Sequence, residues 1–304
     1  MRLLLLVNSA ASSVTARARV VIQKALAADH EVTVAETSRR GHATRLAQGA
    51  AAVGTDVVVV LGGDGTLNEA ANGLAGTGCA LGVLPGGSTN VFARTLGLPN
   101  DPIEATGVLL EALARSSIRH VGLGSVNGRY FLFHVGMGFD AEVVHQVERR
   151  SDLKRYAAHP LYVFAACSTW LRHYDRSRPR FALHYEDGSV VDDASFAICF
   201  NTRPYTYLGN RPLDVAPDAS LDRGLVVLAF RSLALGTVLT VVASALGSGR
   251  RARSHRRSDY RVDLGGLEVT GHGPFPYQVD GDYLGEADHL VLRHEPAALR
   301  LVVR

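Results

Sequence analysis

The sequence predicts an α/β protein in two parts: an N-terminal three-layer α/β domain with a mainly parallel sheet, and a C-terminal antiparallel β-sandwich-like domain. Over the first part, short apolar runs alternate with helix-period segments. Beyond His120 the pattern changes to closely spaced strand-like runs joined by turn signals. A chain of 304 residues, 47% of them hydrophobic, can build two separate cores.

In order, residues 3–7 read as a buried strand, followed by a polar loop at 8–13 and a helix over 14–28. Residues 31–36 alternate polar and apolar as a strand does, and a polar loop leads into a helix over 43–53. The run Val-Val-Val-Val-Leu at 57–61 is β-branched, continuous and too short for a core helix, so it reads as a strand buried on both faces. A further strand at 80–84 ends in Pro-Gly-Gly before another helical stretch. Such alternation implies parallel strands with right-handed helical crossovers.

In the second part, runs at 120–126 and 129–135 flank Asn127-Gly128, a strong two-residue hairpin signal. More strands are expected at 180–185, 195–200, 225–230, 260–264, 267–270 and 276–279, with helices at 161–174 and 233–246. The domain limits expected are 1–122 and 123–290. Residues 291–304 either add edge strands or return to the first domain.

Composition sets outer limits. A formal net charge of +3 makes no demand for nucleic acid. Cys79, Cys167 and Cys199 are widely spaced in apolar segments, which suits buried thiols in a reducing compartment. The apolar start at 3–7 is shorter than a signal-peptide core, and no run approaches the ~20 residues of a membrane span. The expectation is a cytoplasmic protein, peripheral to membranes at most. A homodimer is compatible with the sequence.

Chemistry concentrates at turns. After the strand at 57–61, Gly62, Gly63 and Gly65 remove Cβ atoms where backbone can approach a ligand, with Asp64, Thr66, Leu67, Asn68 and Glu69 in the same corner and a helix opening at Asn68 and Glu69. Carboxyl ends of strands in open α/β sheets are where ligands bind, and phosphates with a divalent ion suit this corner. Ser88, Thr89 and Asn90 form a second corner of this kind, able to bind phosphate or to cap a helix. Near the end of the chain, Asp280-Gly281-Asp282 puts alternate carboxylates around a tight bend, which fits a catalytic turn, a calcium loop or an ordinary hairpin.

GGDGTLNE resembles the nucleotide loop of the diacylglycerol kinase catalytic family, the bacterial soluble lipid kinases related to sphingosine and ceramide kinases. The bare GGDG also occurs in NAD kinases and phosphofructokinases, which share the wider superfamily. The family's GTxNDFAR element matches Gly87 to Arg94, with Ser88 in the threonine position and Val91 replacing the aspartate. Its T-GHA element matches Thr37 with Gly41, His42 and Ala43, and its NPxSG-like loop falls on Asn8, Ser9, Ala10, Ala11 and Ser12 with altered wording.

Its DGE turn, whose glutamate is the general base, falls on Asp280-Gly281-Asp282, so Asp282 takes that place one methylene shorter. Its structural magnesium loop falls on 217–224, where Asp222 remains but Arg223 fills the second acidic position. The resemblance therefore implies an ATP-dependent lipid kinase. Mg-ATP would lie on the loops just named, with Asp64 on the ion and in catalysis, Asp282 as base and diacylglycerol as the leading acceptor. A sphingoid-like or soluble acceptor, or a nucleotide- or lipid-binding regulator without catalysis, are the alternatives.

The apolar stretch 232–249 precedes six arginines within 250–261, a pattern that fits either a core helix with a solvated loop or adsorption to an anionic membrane. Tyr260 is the single aromatic among these arginines, which argues against nucleic acid.

Overall fold

The computed structural model describes residues 1–149, 168–169, 174, 178–234, 236–237, 244, 247 and 249–304. These residues form two compact units, Met1–Leu123 with Pro296–Arg304, and Gly124–Glu295.

The first unit runs β1 (Arg2–Val7), α1 (Ala16–Ala27), β2 (Glu31–Glu36), α2 (His42–Ala52), β3 (Val57–Gly62), α3 (Asp64–Leu74), β4 (Ala80–Pro85), α4 (Val91–Thr95) and α5 (Pro102–Ala114). Its strands are parallel in the order β2-β1-β3-β4. Arg300 and Leu301, near the chain end, pair in parallel with Ala80 and Leu81.

Strand alternation gives the sheet two apolar faces. Leu3, Leu5, Val57, Val59 and Leu61 pack with Ile22 and Leu26 of α1 and with Leu109 and Leu113 of α5. The intervening Leu4, Leu6, Val58 and Val60 are buried on the other side, where α2 and α3 lie. Those two helices touch closely: a Cβ on Gly73 would sit 2.5 Å from the Thr44 carbonyl oxygen. Helix starts follow local chemistry, with Thr15 accepting from the Ala18 amide and Asp101 accepting from Ile103 and Glu104 ahead of Pro102.

The second unit takes up β5 (Ile118–Val126), β6 (Arg129–Phe131), β7 (His134–Gly138), α6 (Phe139–Glu148), β8 (Phe181–Tyr185), β9 (Val190–Ala194), β10 (Phe196–Phe200), β11 (Thr206–Leu208), β12 (Arg211–Leu213), β13 (Leu225–Phe230), α7 (Arg250–Arg253), β14 (Ser258–Leu264), β15 (Gly266–Val279) and β16 (Asp282–Val302). β5 and β16 each contribute residues to both units. The strands pair antiparallel in the order β14-β13-β10-β7-β15-β16, and β8 and β9 continue from β15.

β10 and β13 bury both faces. Ala197, Cys199, Val227 and Ala229 join one core with Phe181 and Phe275, while Ile198, Phe200, Leu228 and Phe230 join a second with Val215 and Leu233.

The expected change from parallel to antiparallel pairing is what the chain adopts. Several boundaries differ. The expected strand at 129–135 is two, β6 and β7, because the amides of Leu132, Phe133 and His134 turn to the Asp280 carboxylate instead of a neighbouring strand. The runs 267–270 and 276–279 are one strand, with a register shift between Thr270 and Phe275. β9, β11 and β12 were not legible. The expected helices at 161–174 and 233–246 fall largely outside the described residues. No helix among the described residues is long and apolar enough to cross a membrane.

Candidate functional site

The order β2-β1-β3-β4 puts the point where connections diverge between β1 and β3, and ligands in such sheets bind beyond the carboxyl ends of the strands there. Three loops converge on this position. Asn8 at the end of β1 donates through Nδ2 to Thr66 Oγ1 (2.9 Å), and its Oδ1 accepts from the Ala10 amide. Ser13 donates its amide to the Gly86 carbonyl and its hydroxyl to that of Gly87. Ser9, Ala10 and Ser12 are exposed, and the half-buried Thr37 donates its amide to the Val7 carbonyl.

The glycines have a packing reason beyond ligand access. The Gly86 amide donates to the Gly62 carbonyl (2.8 Å), and a Cβ on Gly86 or Gly87 would meet the Cα of Gly62 or Gly63 at 2.9 Å. The loops after β3 and β4 therefore stack backbone on backbone, which only glycine permits. Neither loop reads as requiring the other in local sequence.

α3 starts at Asp64, four residues before the expected opening at Asn68, and its cap residue Gly63 supplies no side-chain acceptor. Amides of the first turn are thus not met by a capping side chain. The half-buried Asp64 carboxylate points to the neighbouring loop, where Oδ2 accepts from the Val91 amide (2.9 Å) and Oδ1 from that of Phe92 (3.0 Å). It serves α4 as a cap contributed from elsewhere in the chain. Asn90 is the residue preceding α4, with φ 50°, and its Oδ1 accepts from the Gly87 amide while Nδ2 donates to Gly87 and to Asn100 Oδ1. Ser88 is exposed and Thr89 half-buried beside it. Val91 is buried, so the position where the family carries an aspartate packs into the core.

Glu69 also acts between helices. Its two carboxylate oxygens accept from the amides of Gly41 and Ala43 at the start of α2. Leu67 and Asn68 are each 1% exposed and lie within the fold. Replacing Asp64 by Ala is expected to cost about 1–2 kcal/mol, the typical loss for a helix cap. Urea unfolding measures this; an unchanged midpoint would mean that the two amides find other acceptors.

In the second unit, Asp280 and Gly281 have φ of 50° and 83° and join Val279 to its partner Asp282 as a two-residue hairpin turn. Asp280 is 6% exposed and its oxygens accept from the amides of Leu132, Phe133 and His134 at 2.7–3.0 Å. Asp282 behaves differently: its side chain is 30% exposed, with Arg129 Nη2 at 3.8 Å. Adjacent to the turn, burial lowers the pKa of His134 to about 3, and burial raises that of Asp140 against the hydrogen bonds it accepts. Sequence reasoning singled out neither residue.

In the 217–224 loop, Asp222 and Arg223 are both exposed. Of the six arginines at 250–261, Arg253 lies over the Tyr260 ring, Arg257 donates to Ser232 and Arg261 pairs with Asp259 and Asp187, while Arg250, Arg251 and Arg256 are exposed.

Paired glycine loops beyond the carboxyl ends of a parallel sheet define the class of this unit as α/β. More specifically, residues 2–126 match the family model of the diacylglycerol kinase catalytic domain. A curated relative from Bacillus subtilis, named diacylglycerol kinase, is 39% identical over 42% of this chain and 42% of its own length. The match thus spans less than half of that relative. A Staphylococcus carnosus protein of the same name is 29% identical over 88% of this chain and 83% of its own. A solved structure described as a diacylglycerol kinase from Bacillus anthracis covers 100% of this chain and 97% of that one, with TM-score 0.77 and 22% identity, a likeness of fold.

Proposed function

We propose that the protein is an ATP-dependent lipid kinase that phosphorylates a hydroxyl of diacylglycerol or a related lipid. The observation that carries the reading is the family segment 2–126, which contains both stacked glycine loops at the carboxyl ends of β3 and β4. Phosphoryl transfer asks mainly for positioning and charge neutralisation. First-turn amides of α3, with the polar groups of Asn8, Thr66 and Ser88, are suited to phosphate oxygens. Asp282 takes the acceptor's proton, a role open to a partly exposed carboxylate and closed to Asp280, whose oxygens already hold three amides.

A magnesium ion, when bound, neutralises phosphate charge. Asp64 is the carboxylate at this corner, already bonded to two amides, so phosphate and water would supply most other ligands. On this reading the first unit holds nucleotide and the second admits lipid.

Radiolabelled ATP incubated with extracted membrane lipids, dispersed diacylglycerol, a sphingoid base and soluble alcohols tests the proposal. Label on diacylglycerol supports it, and label only on another acceptor reassigns the substrate. ATP binding without transfer to any acceptor would indicate a regulator.

Access to a bilayer substrate would be aided by Arg250, Arg251 and Arg256, each contributing about 1 kcal/mol near an anionic surface, less as salt rises. Changing these three to Glu is expected to weaken sedimentation with anionic vesicles at least ~10-fold while sparing turnover of a short-chain acceptor. Equal sedimentation would leave the segment as a solvated loop.

A further inference from the structure

Asp282 follows directly on a turn whose backbone is held from several sides, and one of those holds is a buried polar chain that the roles above leave unused. Gln278 is fully buried, four residues before Asp282. Its Oε1 accepts from the Gly281 amide at 2.8 Å, and its Nε2 donates to Asp140 Oδ2 at 2.8 Å. Asp140 Oδ1 accepts from the Tyr205 hydroxyl at 2.6 Å. The order of donors is forced. A backbone amide can only donate, so the Gln278 oxygen must face Gly281 and its NH₂ must face Asp140.

The chain of bonds also dictates a glycine: a Cβ on Gly136 would lie 1.7 Å from Asp140 Oδ2 and 2.5 Å from Gln278 Nε2. Space has been left on β7 for a carboxylate and an amide to meet. The far end of α6 holds the other side of Asp282, since Glu148 Oε1 accepts from the Tyr283 amide at 3.2 Å and the His145 ring stacks on Tyr283 at 4.2 Å.

We propose that Asp140 is a positioning residue for Asp282, acting through Gln278 on the Gly281 amide, so that α6 fixes the direction in which the base presents its carboxylate. This rests on the assignment of Asp282 as base in a lipid kinase. A buried carboxylate bonded to two donors is rigid, and a displaced catalytic group can lose about 10²-fold in rate for ~1 Å of movement. Gln278 and Asp140 are both buried, so their effect is expected on turnover and not on nucleotide affinity.

Exchange of amide and carboxylate gives the test. Gln278→Glu alone sets two carboxylates against each other at the 2.8 Å contact. Adding Asp140→Asn restores the pattern, because the new amide donates to position 278, its oxygen still accepts from Tyr205, and position 278 still accepts from Gly281. Gln278→Glu is expected to lower kcat on dispersed diacylglycerol by about 10²-fold with the KM for ATP unchanged. It should also speed hydrogen exchange of the Gly281 amide by roughly 10-fold. The double substitution should recover both.

Slow exchange at Gly281 in folded Gln278→Glu, or a double variant no better than the single, overturns the proposal. If Gly281 exchange responds and recovers while kcat does not move, Asp140 holds the turn without positioning a base, and the proposal is equally overturned. Exchange is read without any substrate. A wild-type protein that labels no lipid therefore rejects the kinase assignment, and with it the role of Asp282, separately from the test of the bonds.

Discussion

Asp282→Asn is expected to lower turnover on dispersed diacylglycerol by about 10²- to 10⁴-fold, the usual worth of a general base. The two side chains have nearly the same shape, so the substitution removes proton affinity and little else. Fold stability should barely change: the partner, Arg129, stands 3.8 Å away with its side chain 36% exposed, and pairs so open contribute ~0–1 kcal/mol. ATP affinity should stay within about threefold, because the substitution leaves the glycine loops untouched; calorimetric titration with ATP measures it. Asp282→Glu separates reach from chemistry. If it is active, the site tolerates the longer side chain that the family carries. Full activity of Asp282→Asn would take the base away from this hairpin altogether, since the neighbouring Asp280 has both oxygens committed to backbone amides.

Much of the fold was legible where burial or turn chemistry is local. The run at 57–62 is fully buried, and its β-branched sequence announces it. Asn127-Gly128 and Asp280-Gly281 both adopt positive φ, as hairpin turns of two residues require. Illegible features depend on partners distant in sequence. Asp64 reads as a ligand-facing acid, yet its acceptors serve amides 27 and 28 residues away. Glu69 reads as part of the same corner, but its carboxylate caps α2. Gly86 and Gly87 are explained by the backbone of Gly62 and Gly63, a contact no periodicity encodes. β9 carries two aspartates in five residues, while β11 and β12 have three residues each, too short to show alternation. Asp140 sits in a helix start of ordinary appearance. The signal that could have found it is Gly136, a glycine in an otherwise strand-like run.

Asp280→Ala is expected to cause a large loss of stability, about 3–5 kcal/mol. The carboxylate is 6% exposed and accepts three amides, those of Leu132, Phe133 and His134. A buried amide left without an acceptor costs ~1–3 kcal/mol, and partial relaxation keeps the sum below three full penalties. A smaller share comes from the backbone, because φ is 50° and alanine tolerates that region less well than aspartate. Two further substitutions divide these contributions. Asp280→Gly removes the acceptors while relieving the backbone, so it should be slightly less damaging than Asp280→Ala. Asp280→Asn keeps one oxygen for Phe133 and His134 but turns an NH₂ group toward the Leu132 amide, so it should fall between wild type and Asp280→Gly. Chemical unfolding should therefore order the proteins as wild type, Asn, Gly, Ala. Equal stability of Asp280→Ala and wild type would mean that the loop joining β6 to β7 finds its acceptors in water, and that the hairpin carrying Asp282 is anchored sufficiently by its other contacts, among them those of Gln278 and Glu148.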